Sequence, residues 1–250
     1  MSPISKVLLL HDIDIGIGTG MQEVGSRYLL SKKTLIDGLD LAIKERVNFE
    51  TLDNTNNLKD IVRITIDDGG SSCVHLGELL ANKNIKAIFF IVSSFLNKKG
   101  FISSDDLKII TNLGHDIGSH SHTHPGPFCE LTNQEIFNEV KISKEIIEDH
   151  IGKEVISFSI PGGEVRKETI NQLSDKRLGL KEIYTSLPVM GTYGNFKNPI
   201  CFGRHSIESY MSSESIANYS KGKGWKLKLI DYQIRRFRRE LLYKFNKISS

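Results

Sequence analysis

The sequence predicts an α/β fold built around a mostly parallel sheet. Short runs rich in β-branched and aromatic residues, bounded by Gly, Asp or Asn, recur along the 250 residues, and helical patterns separate them. Strands that alternate with helices are typical of parallel sheets. The length and ordinary composition suit a globular protein of one main domain. The predicted strands are 6–10, 62–66, 87–92, 156–160 and 200–202.

Three helices are predicted between these strands. The longest begins with a capping box, in which Thr132 and Glu135 satisfy each other's backbone N–H groups, and it ends at Gly152. Its apolar face comprises Ile136, Val140, Ser143 and Ile147. A shorter helix begins at Ser104, and segment 74–83 places three leucines on one side.

Parallel sheets hold their chemistry at the carboxyl ends of the strands, and three polar motifs follow predicted strands. In the first, Asp67 and Asp68 stand where a strand enters a glycine turn. Two adjacent carboxylates repel each other, so a bound cation would stabilise the pair. The alternative is an ordinary solvated turn, because Asp and Gly are common turn residues.

The second motif is a histidine cluster, with four of the eight histidines within 115–124. In a strand His120 and His124 would lie about 13 Å apart, whereas one helical turn brings such a pair to roughly 6 Å. The pair can share a metal only if the chain curls after Gly118, which turns His122 away. The alternatives are a polar surface loop and a structural or adventitious metal site.

The third motif is the Pro-Gly-Gly turn at Pro161, Gly162 and Gly163, which follows a strand. Its backbone N–H groups could bind substrate by stabilising a developing oxyanion. The alternative is a tight turn without a catalytic part.

The three motifs together resemble the polysaccharide deacetylase family, the NodB-like carbohydrate esterases. The likeness starts near His11, strengthens at Thr-Ile-Asp-Asp-Gly (65–69) and at His-Ser-His-Thr-His (120–124), and runs through 158–163 to about Ile207. It covers about four-fifths of the chain, and the order of the motifs is more specific than any one of them.

The resemblance implies a distorted (β/α) barrel and a metal-dependent deacetylase. It makes Asp67 the general base and Asp68, His120 and His124 the ligands of a divalent metal. Zn²⁺ is the first expectation for this ligand set, although Co²⁺, Ni²⁺ or Mn²⁺ accept similar ligands. The substrate expected is an acetylated glycan, with Pro161 and Gly162 at the substrate.

The third motif departs from the family pattern. The arginine that would orient Asp67 is missing there, and Arg166 or Arg204 are the candidates to replace it. The usual Leu-x-His segment is not evident either, so His205 is the nearest candidate for the general acid, against the alternative that it is structural. The Phe-x-x-Pro-Gly-Gly variant resembles a branch associated with bacterial surface-polysaccharide pathways.

The end of the chain is strongly basic. Segment 221–250 carries ten Lys/Arg and two acids, a balance of +8, whereas the remaining residues carry 23 basic and 28 acidic groups. Apolar residues recur in it at steps of three and four, which predicts an amphipathic helix. We therefore divide the chain into a catalytic domain, 1–220 with its motif core at 60–207, and a helix, 221–250.

This helix either packs on the domain or contacts an anionic membrane face, which would suit lipid-linked sugars. Nucleic acid is not expected as a partner, because the rest of the chain is acidic and carries no recognition motif. The sequence shows neither a signal peptide nor a membrane span, and its three cysteines form no CxxC pair. The expected location is cytoplasmic, with a peripheral position at the inner membrane face if the helix binds lipid.

The function expected is removal of N-acetyl groups from an acetamido sugar in a polysaccharide or lipid-linked precursor. Two alternatives stay open: hydrolysis of another amide or of an O-acetyl ester, and a non-catalytic glycan-binding relative.

Overall fold

The computed structural model describes residues 4–16, 26–52, 60–163 and 165–248. In the last helix it describes the side chains of 225–235, 237 and 238.

Eight parallel strands form the main sheet, in the order β10-β1-β4-β5-β6-β7-β8-β9. A short parallel pair, β2-β3, lies apart from it. The strands are β1 (Ile4–Leu10), β2 (Asp12–Asp14), β3 (Leu29–Ser31), β4 (Ile61–Ile66), β5 (Ala87–Ile91), β6 (Asp116–Ser119), β7 (Ser157–Ser159), β8 (Glu182–Tyr184), β9 (Ile200–Phe202) and β10 (His205–Ser206).

The two edge strands of this sheet are consecutive in the chain. Only Gly203 and Arg204 separate β9 from β10, so the sheet must curl until its edges approach each other. The result is the distorted (β/α) barrel that the family resemblance implied, with Arg204 at its seam. Gly203 suits this position because a Cβ atom there would lie 2.2 Å from Val189 Cγ2.

Alternate side chains of the strands point into the barrel or out toward the helices. Val7, Phe90 and Phe202 belong to an inner apolar cluster, whereas Leu8 and Ile64 belong to the larger outer core. The helices are α1 (Lys32–Lys44), α2 (Cys73–Ala81), α3 (Ser104–Asn112), α4 (Asn133–Ile151), α5 (Lys167–Leu173), α6 (Ser213–Ser220) and α7 (Trp225–Ile248).

All five predicted strands are confirmed, with bounds that differ by at most two residues. The capping box of α4 is confirmed as well, and Gly152 ends that helix in the left-handed conformation. The helix predicted from Ser104 is α3, whose N-cap is Ser103. The sequence patterns missed β6, β8 and β10 among the sheet strands, and α1, α5 and α6 among the helices.

The C-terminal helix is docked to the barrel where it begins. Trp225 is buried in the main core, and its indole N–H donates to the backbone carbonyl oxygen of Tyr219 at 2.9 Å. The division between a catalytic domain, 1–220, and a helix, 221–250, stays a prediction. The first residue of α7, Trp225, packs in the same hydrophobic core as the barrel. None of the described helices is both long and apolar enough to span a bilayer.

Candidate active site

The carboxyl ends of the barrel strands surround a cavity of about 310 Å³. Asp67 and Asp68 follow β4, and His120 follows β6, so the two strands on either side of β5 deliver these side chains to the same end of the barrel. The cavity walls also include His11, His124 and Gly162. The structure thus brings together six residues from sequence motifs that lie far apart in the chain.

Three of these residues form a cluster with the spacing of metal ligands. One ligand atom each from Asp68, His120 and His124 lies within 4.8 Å of the others. Asp68 Oδ1 is 3.4 Å from His120 Nε2 and 3.7 Å from His124 Nε2. Ligands at about 2.1 Å from a tetrahedral ion lie roughly 3.4 Å from each other. The residues therefore fit a divalent cation with open positions for water and substrate.

Unusual backbone conformations place these ligands. Asp68 has a φ of 75°, Ser121 a φ of 69° and His124 a φ of 56°, a region that residues other than glycine seldom occupy. Ser121 Oγ accepts from the His124 N–H at 3.0 Å. The chain therefore curls after β6, as the histidine spacing requires.

The curl is held from outside by α4 and by a neighbouring loop. The Glu139 carboxylate accepts from the backbone N–H groups of His122 and Thr123 at 2.9 and 2.8 Å. His122 Nδ1 lies 2.9 Å from Ser93 Oγ, and His122 is not part of the ligand cluster. The prediction that His122 turns away is confirmed.

His120 presents the correct nitrogen to a cation. Its Nδ1 lies 2.8 Å from the Ser159 carbonyl oxygen, which can only accept, so Nδ1 carries the proton. The lone pair of Nε2 is thereby left facing the cluster, an arrangement typical of metal-bound histidine. Burial lowers the pKa of His120, but the charges of Asp67 and Asp68 outweigh it and raise the pKa overall. This site favours positive charge.

Asp67 is fixed by an arginine from the seam between β9 and β10. The two terminal nitrogens of Arg204 donate to its two carboxylate oxygens at 2.7 and 2.8 Å, and Ser159 Oγ donates at 2.9 Å. Burial raises the pKa of Asp67, but Arg204 and His120 lower it more, so the carboxyl is ionised. Arg204 therefore holds the position that the sequence left open. Arg166 instead pairs with Glu130 at the surface.

Asp68 is ionised for a different reason. Burial alone would raise its pKa. The hydrogen bond to His120 and the charges of His11 and His124 have a larger effect in the opposite direction, so the pKa of Asp68 lies well below the ordinary value. The negative charge of Asp67 is thus stabilised mainly by an arginine, and that of Asp68 by histidines.

The structure separates the two predicted substrate contacts. Gly162 lines the cavity with a φ of 67°, whereas Pro161 is buried and is not among the lining residues. The N–H of Gly163 donates to the Ile160 oxygen at 3.2 Å, and a Cβ atom at Gly163 would lie 2.2 Å from Ser186 Cβ. The turn therefore requires Gly163 for close packing and exposes Gly162.

His205 does not reach this cavity. Its ring stacks on Tyr219 with centroids 3.8 Å apart and meets Trp225 edge-on. Burial lowers its pKa to about 4. The side chain points toward the helices because neighbouring strand residues alternate in direction, and Arg204 and Ser206 line the cavity instead. The geometry gives the proposed acid role of His205 no support.

His11 is a further histidine of the cavity wall, at a position to which the sequence assigned no role. It follows β1, lines the cavity and has a buried Nδ1 atom without a hydrogen-bond partner. Its ring lies 4.2 Å from that of Tyr28, and burial lowers its pKa. The one sequence signal was its position at the end of a strand.

Helix α7 forms part of the cavity wall, which the sequence did not indicate. Four of its residues line the cavity: Lys228, Asp231, Tyr232 and Arg235. Glu208, which is buried, pairs with Arg27 at 2.7 Å and with Lys228 at 3.3 Å across the same wall.

A family model described as polysaccharide deacetylase matches residues 54–183. The chain is 30% identical over 115 residues to a peptidoglycan-N-acetylglucosamine deacetylase of Listeria monocytogenes and 31% identical over 109 residues to chitin deacetylase 1 of Cryptococcus neoformans. These alignments cover 45% and 43% of this chain but only 23% and 22% of the relatives. The chain thus matches less than a quarter of each relative's length.

Solved structures share the fold. A polysaccharide deacetylase from Bacillus cereus superposes with a TM-score of 0.71 at 20% identity, over 86% of this chain and 68% of the other. IcaB from Ammonifex degensii gives a TM-score of 0.68 at 19% identity, over 87% and 97% of the two chains. The family match spans just over half of this sequence and includes both acidic and histidine motifs. The chain belongs to the polysaccharide deacetylase family.

Proposed function

We propose that this protein is a metal-dependent hydrolase that removes N-acetyl groups from an acetamido sugar of a glycan. One observation carries the proposal. Asp67, held by Arg204, lies with its Oδ2 atom 3.7 Å from Nε2 of His120, within the cavity that contains the ligand cluster. A separate, ionised carboxylate beside a metal site is what a hydrolase needs to take a proton from water.

Asp68, His120 and His124 would hold the divalent cation, with Zn²⁺ the first choice for two imidazoles and one carboxylate. When bound, such a cation supplies Lewis acidity toward the acetyl carbonyl and the attacking water. Ser159 assists from the protein side, since its carbonyl orients His120 and its hydroxyl orients Asp67. One residue thereby fixes both halves of the site.

Asp67 would accept the proton of the attacking water. Its three hydrogen bonds hold the carboxylate anionic and stationary, so little reorganisation precedes proton transfer. Gly162 is exposed on the cavity wall, and its N–H would donate to the developing oxyanion, because the N–H of Gly163 is used within the turn. Removal of one such donor typically reduces kcat by a factor of about 10² or more.

His11 would deliver a proton to the departing amine. It stands on the cavity wall with Asp67 and Asp68. Burial lowers the pKa of His11, and the negative charges of Asp68 and Asp67 act in the opposite direction and favour a protonated ring. His205 cannot reach the same place from its stack with Tyr219. We therefore assign the acid to His11.

The substrate proposed is an N-acetylated saccharide, which the activities named for the Listeria and Cryptococcus relatives support. The cavity of about 310 Å³ is large enough for one sugar residue. The cytoplasmic location is retained as a proposal. Its support is that Cys73, Cys129 and Cys201 are all buried free thiols, as is usual in a reducing compartment.

The test is acetate release from N-acetylated and O-acetylated saccharides after chelation and after each metal is added back. We expect release from the N-acetyl substrates that returns with a divalent metal. Asp68→Ala should abolish both metal binding and turnover, whereas the control His75→Gln, at an exposed position on α2, should change neither.

Other results would redirect the proposal. Release from O-acetyl substrates alone would make the protein an esterase. Stoichiometric metal with glycan binding but no release from any substrate would favour the non-catalytic alternative.

A further inference from the structure

Helix α7 has two faces with different environments. One face packs on the barrel through Trp225 and lines the cavity through Lys228 and Tyr232. The other face is exposed along the described part of the helix. With about 100° per residue, the centres of the cavity face and the exposed face lie roughly 130° apart around the axis.

The exposed face carries an apolar stripe. Leu227 is 74% exposed, Ile230 52%, Ile234 48% and Phe237 62%. Their spacing of three and four residues confines them to an arc of about 80°. Four large apolar side chains in one row on the surface mark a contact with an apolar partner.

Cations border this stripe on both sides. Lys226 is exposed on one flank, and Arg238 is exposed on the other. Asp231, which follows on the Arg238 side, is an acid that pairs with Arg235 of the cavity wall. The stripe therefore needs a partner that is apolar in its interior and anionic at its surface.

We propose that this stripe, formed by Leu227, Ile230, Ile234 and Phe237, lies in the surface of an anionic lipid bilayer. Phospholipid headgroups and acyl chains supply the required combination of negative charge over an apolar layer. The charge distribution also favours an orientation with α7 toward the anionic bilayer, since 221–250 carries +8 while the remaining residues carry a net −5. A second copy of this chain would bring like-charged flanks together, which disfavours a dimer at this face.

Attachment through α7 places the active site relative to the membrane. The same helix is a wall of the cavity, so the cavity lies above the bilayer by about the diameter of one helix, roughly 10 Å. Resting on the proposed function, this geometry indicates a glycan that is held at a membrane surface as the substrate class. The attachment itself does not depend on deacetylase activity.

The test is co-sedimentation of the full chain with vesicles of phosphatidylcholine alone and of phosphatidylcholine mixed with phosphatidylglycerol. We expect binding to the mixed vesicles that weakens as salt is raised. Ile230→Gln with Ile234→Gln should reduce the partition coefficient on the order of a hundredfold, since each buried isoleucine contributes more than tenfold. Lys226→Gln with Arg238→Gln should reduce it by about tenfold or more.

The matched control is Ile109→Gln with Ile142→Gln, the same chemical change at side chains 44% and 40% exposed on α3 and α4. It should bind vesicles as the parent does. As a second measurement, the tryptophan fluorescence of Phe237→Trp should be quenched by lipids brominated in their acyl chains. Trp225 is only 2% exposed, so its fluorescence should contribute little to the quenching.

Three results would overturn the proposal. One is equal binding by the stripe variant and the control, and another is absence of quenching at position 237. The third is a parent that is dimeric without vesicles and becomes monomeric in the stripe variant, which would assign the stripe to a second copy. Acetate release from a soluble saccharide, measured on the same samples, reports the proposed function separately.

Discussion

The guanidinium of Arg204 and the carboxylate of Asp67 meet in two parallel hydrogen bonds of 2.7 and 2.8 Å across the barrel. Both side chains are buried, Arg204 completely and Asp67 to within 2%. Arg204 comes from the seam between β9 and β10, and Asp67 from the end of β4. The closure of the sheet and the orientation of the proposed base thus depend on the same ion pair.

This pair predicts a stability pattern that differs from simple loss of a contact. Arg204→Met leaves the Asp67 carboxylate buried without its partner, which should reduce the free energy of unfolding by about 3–5 kcal/mol. Adding Asp67→Asn removes that stranded charge, so the double variant should recover about 2 kcal/mol or more. Urea unfolding at neutral pH measures both values. Additive losses in the double variant would show that the two side chains do not stabilise each other.

Asp67→Asn alone separates proton transfer from metal binding. The amide keeps the size of the side chain but cannot act as a base, so kcat should fall by about 10²–10⁴. Metal content should stay at the parent level, because Asp67 is not one of the three ligand-cluster residues. The measurement is initial rate together with metal analysis of the same sample. Parent-like turnover would exclude Asp67 as the base.

His11→Gln tests the assignment of the acid. Loss of an acid harms substrates with a poor leaving group most, so release from an N-acetyl sugar should fall by about 10²–10⁴. An aryl acetate ester, whose leaving group needs no proton, should lose far less. His75→Gln is the control for a histidine exposed on α2. If both substrates slow equally, His11 positions the site and does not protonate the amine.

The fold was largely predictable because several of its strands are continuous apolar runs that can be recognised in the sequence. β4 and β5 are runs of buried apolar residues, whereas β6 reads Asp-Ile-Gly-Ser, and its Gly118 is needed because a Cβ atom would lie 2.4 Å from Phe90. The ligand cluster was predictable for a similar reason, since its residues are adjacent to strand ends. Arg204 and His11 could only be assigned once the barrel was closed, because their contacts cross the sheet. The part that α7 plays in the cavity wall depends on docking at Trp225, which no local pattern reveals.

His205 predicts a pH dependence of stability that is independent of catalysis. Burial lowers its pKa from 6.5 to about 4, so at pH 5 the unfolded chain binds a proton there and the folded chain does not. Stability from this group is therefore full above pH 6.5 and is lost as the pH falls toward 4. Between pH 7 and pH 5 the loss amounts to about 2 kcal/mol.

The variant His205→Phe keeps a ring in the stack with Tyr219 and removes the titration. Its free energy of unfolding should fall between pH 7 and pH 5 by about 2 kcal/mol less than that of the parent. Comparing the two pH differences cancels any packing change that the substitution makes at both pH values. Acetate release should remain within a few-fold of the parent, because the ring lies outside the cavity. If the free energy of unfolding fell by the same amount between pH 7 and pH 5 in both proteins, His205 would have an ordinary pKa in the folded state. A loss of activity comparable to that of His11→Gln would return the acid role to His205.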